Sequence, residues 1–181
     1  HLPDVTASTP VFDAAGARIL FTVASRGHHA DIGGKTPGSA PPDSRTIEEE
    51  GVVIDNFLLV DQGQLREEAT RALLSSGAYP CRDVDQNMAA LAAQIAANAT
   101  GRAELQKITQ QFGLGAVQAY MGHVQDNAEE SVRRVLDVLS DGTFCYPMDG
   151  GAKIMVEIRV DRASRSATID FTGTSPQSAF N

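Results

Sequence analysis

The chain has 181 residues, 42% of them apolar, and a formal charge of −8 from 15 basic and 23 acidic side chains. This length is sufficient for one well-packed domain or two small ones, and the acidic balance, with no basic run interleaved with aromatics, disfavours nucleic acid as a partner. The longest apolar runs are short and interrupted by polar residues, so neither a membrane span nor a secretory signal is predicted.

Two strands and an irregular loop are predicted at the start of the chain. Residues 5–12 and 18–24 are rich in β-branched and aromatic side chains, which favour strands. The intervening DAAG, residues 13–16, has Asp first and Gly fourth, which suits a type I turn closed by a glycine bulge. A hairpin is therefore expected. Residues 25–46 are rich in glycine and proline without periodicity, which predicts a long loop of the kind that is usually functional or disordered.

Helices are predicted in the middle of the chain. A short helix is expected within residues 64–77, and two longer helices at about 87–112 and 115–139 have apolar side chains at helical spacing. Asp83 or Asp85 is expected to cap the first long helix. The two long helices are expected to form an antiparallel pair.

Further strands are predicted on both sides of these helices. Residues 51–60, GVVIDNFLLV, are expected to form a buried strand or two short ones. Residues 153–173 alternate apolar and polar side chains around a polar turn, which indicates a C-terminal β-hairpin. Its expected buried side chains are Ile154, Val156, Ile158, Val160, Ile169 and Phe171.

The order of strands, helices and strands indicates an α+β fold. It divides the chain into a strand and loop region at 1–61, a helical region at 62–142 and the C-terminal hairpin at 143–181. The sequence opens on His1 without a Met and ends directly after a strand-like run. We therefore expect a fragment of a larger domain.

The two cysteines, Cys81 and Cys145, are far apart in sequence and have no CxxC spacing. This arrangement favours two reduced thiols over a disulfide framework. A cytoplasmic location is therefore predicted.

The loop sequence SRGHHADIGGKTPG, residues 25–38, invites two interpretations as a site. Its GGKT resembles the end of a phosphate-binding P-loop, but His29 stands where that motif requires its first Gly. The prolines that follow Lys35 also prevent the helix whose N-terminus would hold a phosphate. We therefore do not predict a phosphate site.

A metal site is the second interpretation. HLPD at the start of the chain repeats the His-x-x-Asp spacing of HHAD, and a turn centred on residues 14–15 would place His1 opposite His28. Two imidazoles with Asp4 and Asp31 would form the mixed nitrogen and oxygen set that Mn, Fe or Zn accepts. This expectation depends on the strand register, because a shift of one residue reverses the side-chain faces. The alternative is a simple turn capped by Asp31.

Five motifs together resemble those of the hydantoinase B/5-oxoprolinase family, most closely its bacterial 5-oxoprolinase branch. In order they are HLPDVT, SRGHHADIGGKTPGS, IEEEGVVI, YMGHVQDNAEESV and IDFTGTSPQSAFN. The resemblance spans the whole chain, which looks like only the central part of the family's B region. The family's GGTH motif would precede LPDVT, so only its final His is present, as His1.

The resemblance implies an ATP-dependent enzyme that opens the lactam ring of 5-oxo-L-proline to L-glutamate. A hydantoinase A-type domain or subunit would bind ATP with Mg and phosphorylate this cyclic amide, and the B-type part would hydrolyse the activated ring. The metal pattern of related acetone carboxylases transfers to His1, His28 and Asp31, with Asp4 as a fourth candidate. We also expect the full-length protein to form a homo-oligomer.

Four further residues are candidates for the site. His29 should point away from His28 and is predicted as a catalytic proton carrier, with a loop-surface histidine as the alternative. Glu50 is a candidate base, although three consecutive glutamates are more often a solvated face. Tyr120 and His123 are candidates for lining the substrate site, with a packing role as the alternative for His123.

Two rival functions stay open at this point. One is a hydantoin-ring-opening subunit, because the ATP-binding partner also shapes the substrate. The other is a non-catalytic interaction module in which a metal only links the hairpin to the loop.

Overall fold

A computed structural model describes residues 2–178 and has the predicted α+β class. The chain divides into two compact units, a first that ends at Lys107 and a second that spans Ile108–Ser178. The first unit contains β1 (Asp4–Phe12), β2 (Ile19–His28), α1 (Ile47–Glu50), β3 (Val60–Asp61), β4 (Gln64–Leu65), α2 (Glu67–Leu74) and most of α3 (Val84–Phe112). The second contains α4 (Leu114–Val138), β5 (Gly142–Pro147), β6 (Lys153–Asp161) and β7 (Ser166–Asp170). No helix among residues 2–178 is long and apolar enough to cross a membrane.

The predicted N-terminal hairpin is present, but its register is not the predicted one. The type I turn forms at DAAG, where Gly16 N–H donates to Asp13 O over 2.9 Å. The connection then continues to Arg18, whose carbonyl accepts from Asp13 N–H over 2.9 Å, and the register shifts between Val11 and Phe12. Asp4 therefore lies opposite His28.

The loop after β2 is ordered by contacts with two other segments of its unit. Gly34 N–H donates to Tyr79 O over 3.0 Å, and Lys35 N–H donates to Glu49 O over 2.9 Å. A Cβ at Gly34, where φ is +96°, would lie 2.5 Å from Glu50 O, so only glycine fits this crossing. Helix α1 was not predicted, because a single turn of IEEE has no apolar periodicity.

The core of the first unit joins this loop to the helices α2 and α3. Its buried cluster consists of Ile32, Val52, Leu74, Cys81, Met88 and Leu91. Burial of each large aliphatic side chain contributes roughly 1.5–3 kcal/mol relative to exposure. The strand expected at 51–60 was wrong: this segment is mostly irregular, and Val53 and Leu58 are exposed.

Helix α3 begins after Asp83, whose Oδ1 accepts from Gln86 N–H over 2.8 Å. It runs without a break through Gly101, where a Cβ would lie 2.9 Å from Val23 Cγ1. It ends at Phe112, before Gly113 with φ +83°. Both long helices are thus confirmed, whereas their antiparallel packing stays a prediction.

The second unit has a three-stranded antiparallel sheet in which β5 joins the predicted hairpin of β6 and β7. The register places Phe144, Val156, Ile158 and Ile169 on one face. The burial predicted for the apolar side chains of this hairpin was wrong, since Ile154, Ile169 and Phe171 are 39%, 58% and 56% exposed. Alternation determines which side chains share a face, but another surface must cover that face before it is buried.

Candidate functional site

Asp4 and His28 form a side-chain pair at the open end of the N-terminal hairpin. They are direct cross-strand partners, and His28 Nδ1 lies 3.0 Å from Asp4 Oδ1. The hydrogen bond with His28 lowers the pKa of the Asp4 carboxyl. Both side chains reach solvent, with 63% of His28 and 36% of Asp4 exposed. The hairpin thus presents a carboxylate and an imidazole together at an accessible edge.

His1 lies outside the described residues, so its predicted meeting with this pair stays a prediction. Within residues 2–178, no group of three or more His, Cys, Asp or Glu side chains is arranged to hold a metal ion. Of the three described members of the predicted site, the structure brings Asp4 and His28 together.

Asp31 has the role that the alternative interpretation predicted, a cap within its own loop. Its Oδ1 accepts from the backbone N–H of Gly33 over 2.9 Å, and its Oδ2 accepts from that of Gly38 over 3.1 Å. Arg82 adds a backbone bond of 3.2 Å to Oδ1 and a guanidinium bond of 2.8 Å to Oδ2. These contacts hold the loop and match a turn capped by Asp31, and a metal-ligand role for Asp31 stays a prediction.

The pKa of Asp31 reflects the same contacts. Burial alone would raise it, but the hydrogen bonds from Gly33, Arg82 and Gly38 outweigh burial and lower the pKa. The Asp31 side chain is only 14% exposed. The carboxylate is therefore held in its charged form as an internal anchor.

His29 is buried, with only 3% of its surface exposed. Its Nδ1 lies 2.6 Å from Asn87 Oδ1, and its Nε2 lies 3.3 Å from Gln94 Oε1. The loop-surface alternative is therefore wrong. The ring does point away from the exposed His28, as predicted, but the proton-carrier role stays a prediction because both ring nitrogens contact protein amides.

Glu50 ends helix α1 beside the loop. Its Oε1 accepts from Ser44 Oγ over 3.0 Å, and its backbone carbonyl lies against Gly34. The neighbouring Glu49 accepts from Arg45 N–H over 2.7 Å. The EEE run therefore supports the loop, and a role for Glu50 as a base stays a prediction.

Tyr120 and His123 lie on helix α4 in the second unit. Their ring centroids are 5.7 Å apart in an edge-to-face arrangement. Tyr120 is 71% exposed. The His123 side chain is 67% exposed, and its Nδ1 lies 3.8 Å from Asp126 Oδ2. The packing alternative for His123 is thus wrong for this unit, and the substrate-lining role of both residues stays a prediction.

Sequence reasoning missed three polar residues that hold the site in place. They are Arg82, Asn87 and Gln94, which contact Asp31 and His29 from the first half of α3 and from the segment before it. A signal was available for the two amides. Asn87, Gln94 and Asn98 fall on one helix face at spacings of seven and four, beside the apolar stripe, and all three are buried.

The comparison with protein families decides the identity of the chain at the family level. Residues 1–181 match Hydantoinase B/oxoprolinase. This chain belongs to the hydantoinase B/oxoprolinase family. The predicted resemblance is thereby confirmed, whereas the closeness to its bacterial branch stays a prediction.

Several members of the hydantoinase B/oxoprolinase family are similar over nearly the whole chain. "5-oxoprolinase 1" of Arabidopsis thaliana is 40% identical over 98% of this chain and 16% of its own length. "5-oxoprolinase" of Dictyostelium discoideum is 43% identical over 96% of this chain and 14% of its own length. The chain therefore spans less than one fifth of these relatives.

A solved family structure has the same fold. The crystal structure of the ATP-dependent caprolactamase from Pseudomonas jessenii matches with a TM-score of 0.78 at 28% identity, covering 99% of this chain and 31% of that chain. The caprolactamase subunit beta of that organism is 32% identical over 80% of this chain. The fold of these residues is thus shared with a cyclic-amide enzyme of the family.

Proposed function

We propose that this chain is the metal-binding part of an ATP-dependent 5-oxoprolinase, which opens 5-oxo-L-proline to L-glutamate. The observation that carries the proposal is the pair of Asp4 and His28, 3.0 Å apart at an accessible hairpin end. The pair lies in a chain whose family includes proteins named 5-oxoprolinase and caprolactamase. Both names describe opening of a cyclic amide.

The residues at this hairpin end fit a divalent transition metal, either Mn, Fe or Zn. An imidazole nitrogen and a carboxylate oxygen that lie 3.0 Å apart are the donor types that these metals accept. His1 is the third ligand of the proposed set. Asp31 is left out, because both of its oxygens are engaged by the loop and Arg82.

When bound, the metal would lower the pKa of a water molecule and polarise the oxygen of the activated amide. The residues of this chain contribute by holding donors in place. Cross-strand pairing brings Asp4 to His28, and the anchored Asp31 fixes the loop that follows them. The exposure of the pair leaves room for the substrate on the solvent side.

The ATP-dependent step belongs to a partner in this proposal. A hydantoinase A-type domain or subunit binds ATP with Mg and transfers a phosphoryl group to the lactam oxygen. One water then adds to the activated carbon and the ring C–N bond breaks, which leaves the free amine and an acyl phosphate. A second water hydrolyses the acyl phosphate to glutamate and inorganic phosphate. The relative named as a beta subunit supports a second subunit in such enzymes. A cytoplasmic homo-oligomer completes the proposal.

Metal analysis of the full-length protein tests the site. We expect the wild type to hold a bound transition metal and the double variant Asp4→Ala His28→Ala to lose it. Asp13→Ala is the matched control, because Asp13 stabilises the opposite end of the same hairpin through bonds to Ala17 and Arg18. Equal metal content in the wild type and the double variant would contradict the site.

An activity assay with the A-type partner tests the reaction. We expect glutamate formation from 5-oxoproline that the Asp4→Ala His28→Ala variant abolishes while ATP consumption continues. Parallel assays with hydantoin and caprolactam separate the substrates, and faster turnover of either would replace 5-oxoproline in the proposal. Full activity of the variant would instead favour a non-catalytic metal-linked module.

A further inference from the structure

The buried ring of His29 lies between two amides whose orientation is determined independently, and it forms its short hydrogen bond with Asn87. The Asn87 Nδ2 group donates to Asp31 O over 2.8 Å and to Asp83 O over 3.0 Å. Reversing this amide would direct its oxygen at two carbonyl oxygens. Asn87 Oδ1 is therefore committed to His29, and it accepts from the Nδ1–H of the ring over 2.6 Å.

Gln94 is oriented in the same way by the hairpin. Its Nε2 donates to Val5 O over 2.9 Å and to Ser25 O over 3.1 Å, so one side chain bridges both strands. Gln94 O in turn accepts from Ser25 Oγ over 3.3 Å. Gln94 thus fixes helix α3 to the hairpin near its open end.

These contacts hold the backbone on both sides of the proposed metal pair. The backbone N–H of His29 donates to Pro3 O over 2.8 Å, which joins the residue after His28 to the residue before Asp4. Val5, the residue after Asp4, is held by Gln94. The chain around each member of the pair is therefore tied to one buried cluster, which we call the His29 anchor: His29, Asn87 and Gln94.

We infer that His29 is a positioning residue, and that the His29 anchor sets the separation and direction of Asp4 and His28. Adjacent side chains of an extended segment point to opposite sides, so fixing the ring of His29 inward directs His28 outward. A buried polar group of this kind also penalises alternative backbone positions, which would leave amides unpaired. The inference rests on the proposed metal function of Asp4 and His28.

The decisive experiment measures the affinity of the metal-free full-length protein for Zn²⁺ by chelator competition. His29→Leu removes both ring contacts and leaves Asp4 and His28 in the sequence. We expect its Zn²⁺ affinity to fall about 10- to 100-fold, as observed for residues that orient metal ligands in other proteins. His29→Gln retains an amide donor near Asn87 and should recover most of that loss.

Asn98→Leu is the matched control for a general loss of stability. Asn98 is 2% exposed on the same face of α3, and its Nδ2 donates to Ala7 O over 3.0 Å and to Thr9 Oγ1 over 3.1 Å. It therefore anchors the middle of the hairpin and not its open end. We expect a lowered thermal midpoint for this variant, with Zn²⁺ affinity within about twofold of the wild type.

The outcomes separate the inference from the proposed function. Unchanged Zn²⁺ affinity in His29→Leu, together with loss in His28→Ala, would overturn the positioning role and leave the metal site intact. Equal weakening in His29→Leu and Asn98→Leu would also overturn it, because general hairpin stability would then explain the effect. Absence of Zn²⁺ binding by the wild type would overturn both statements. If His29→Leu fails to fold, His29→Gln and Asn87→Leu replace it. Wild-type Zn²⁺ affinity in His29→Gln with reduced affinity in Asn87→Leu supports the positioning role. Wild-type Zn²⁺ affinity in both variants overturns it.

Discussion

The two units of this chain follow the same periodicity rules and differ in what covers their apolar faces. In the first unit, Ile32, Leu74 and Leu91 are at most 4% exposed. In the second, the apolar stripe of α4 remains open, with Val124 68% and Val132 61% exposed. A sequence pattern therefore identifies a face that suits burial, but the presence of a covering element decides whether burial occurs.

Polar groups show the same contrast. The first unit buries Asn87 and Gln94 against His29, where each contact is shielded from water. The second unit places its charges on the surface, where Arg165 contacts Glu130 and Asp137 over 3.0 Å each. Exposed ion pairs contribute little to stability, so the two networks should respond very differently to substitution.

The largest expected difference concerns the reactivity of the two free thiols. Cys81 is buried in the first unit, and burial raises the pKa of its thiol from 9.0 to about 11. At about pH 8 its thiolate fraction is then lower by about 100-fold than that of an ordinary thiol. Cys145 lies exposed on β5. Iodoacetamide should modify Cys145 first in the native 181-residue chain.

Mass spectrometry of the alkylated protein checks this order. The Cys145→Ser variant should remain unmodified until urea unfolds the first unit. Rapid native alkylation of Cys81 would show that the core of that unit opens readily, and would remove the contrast in burial.

Truncating a side chain should lower the free energy of unfolding by several kcal/mol more in the first unit than in the second. Leu74 is 1% exposed, so Leu74→Ala should lower the free energy of unfolding by about 2–5 kcal/mol through lost burial and a cavity. Val124→Ala removes an exposed side chain and should change it by less than about 0.5 kcal/mol. Urea unfolding followed by circular dichroism measures both, and similar losses would mean that Val124 is covered in solution.

Glycine substitutions test the loop contacts at a smaller scale. Gly34→Ala and Gly151→Ala each place an alanine where the backbone φ is positive, which costs about 1–2 kcal/mol. Only at Gly34 does the added Cβ also collide with the backbone of Glu50, which should add about 1–3 kcal/mol. Equal urea midpoints for the two variants would contradict the close crossing of the loop and α1.

Acid titration should give the smallest difference. The folded pKa of Asp31 is lowered below its usual 3.8, so its contribution is complete above that value and is lost as pH falls through the folded pKa. Wild type should therefore lose more stability between neutral pH and about pH 3 than Asp31→Asn. The pKa of Glu130 is also lowered, mainly by its hydrogen bond with Arg165. This carboxylate is exposed, so solvent screens its ion pair and its contribution to stability is small.

Urea midpoints at both pH values measure this effect. Glu130→Gln is the matched control and should follow the wild type closely. If Glu130→Gln reduced the loss of stability in acid more than Asp31→Asn did, the expected ranking of the two networks would be reversed.

Much of the local structure was predictable from the sequence. The turn at DAAG, the cap at Asp83 and the helix end near Gly113 each depend on residues within a few positions of one another. The long-range hydrogen bonds that hold the site were not predictable in this way. Arg82 contacts Asp31 across 51 positions, and Gln94 contacts Val5 across 89, so no local pattern reports either bond.

The sequence by itself determined the α+β class, the long helices, the family and the candidate pairing of HLPD with HHAD. The tertiary structure decided which of those residues meet. An extended hairpin connection and an irregularity at Val11 and Phe12 moved Asp4 opposite His28, because strand pairing depends on the total number of residues in the connection. Long-range hydrogen bonds then gave His29 and Asp31 their positions, since such bonds form only after distant segments have packed together.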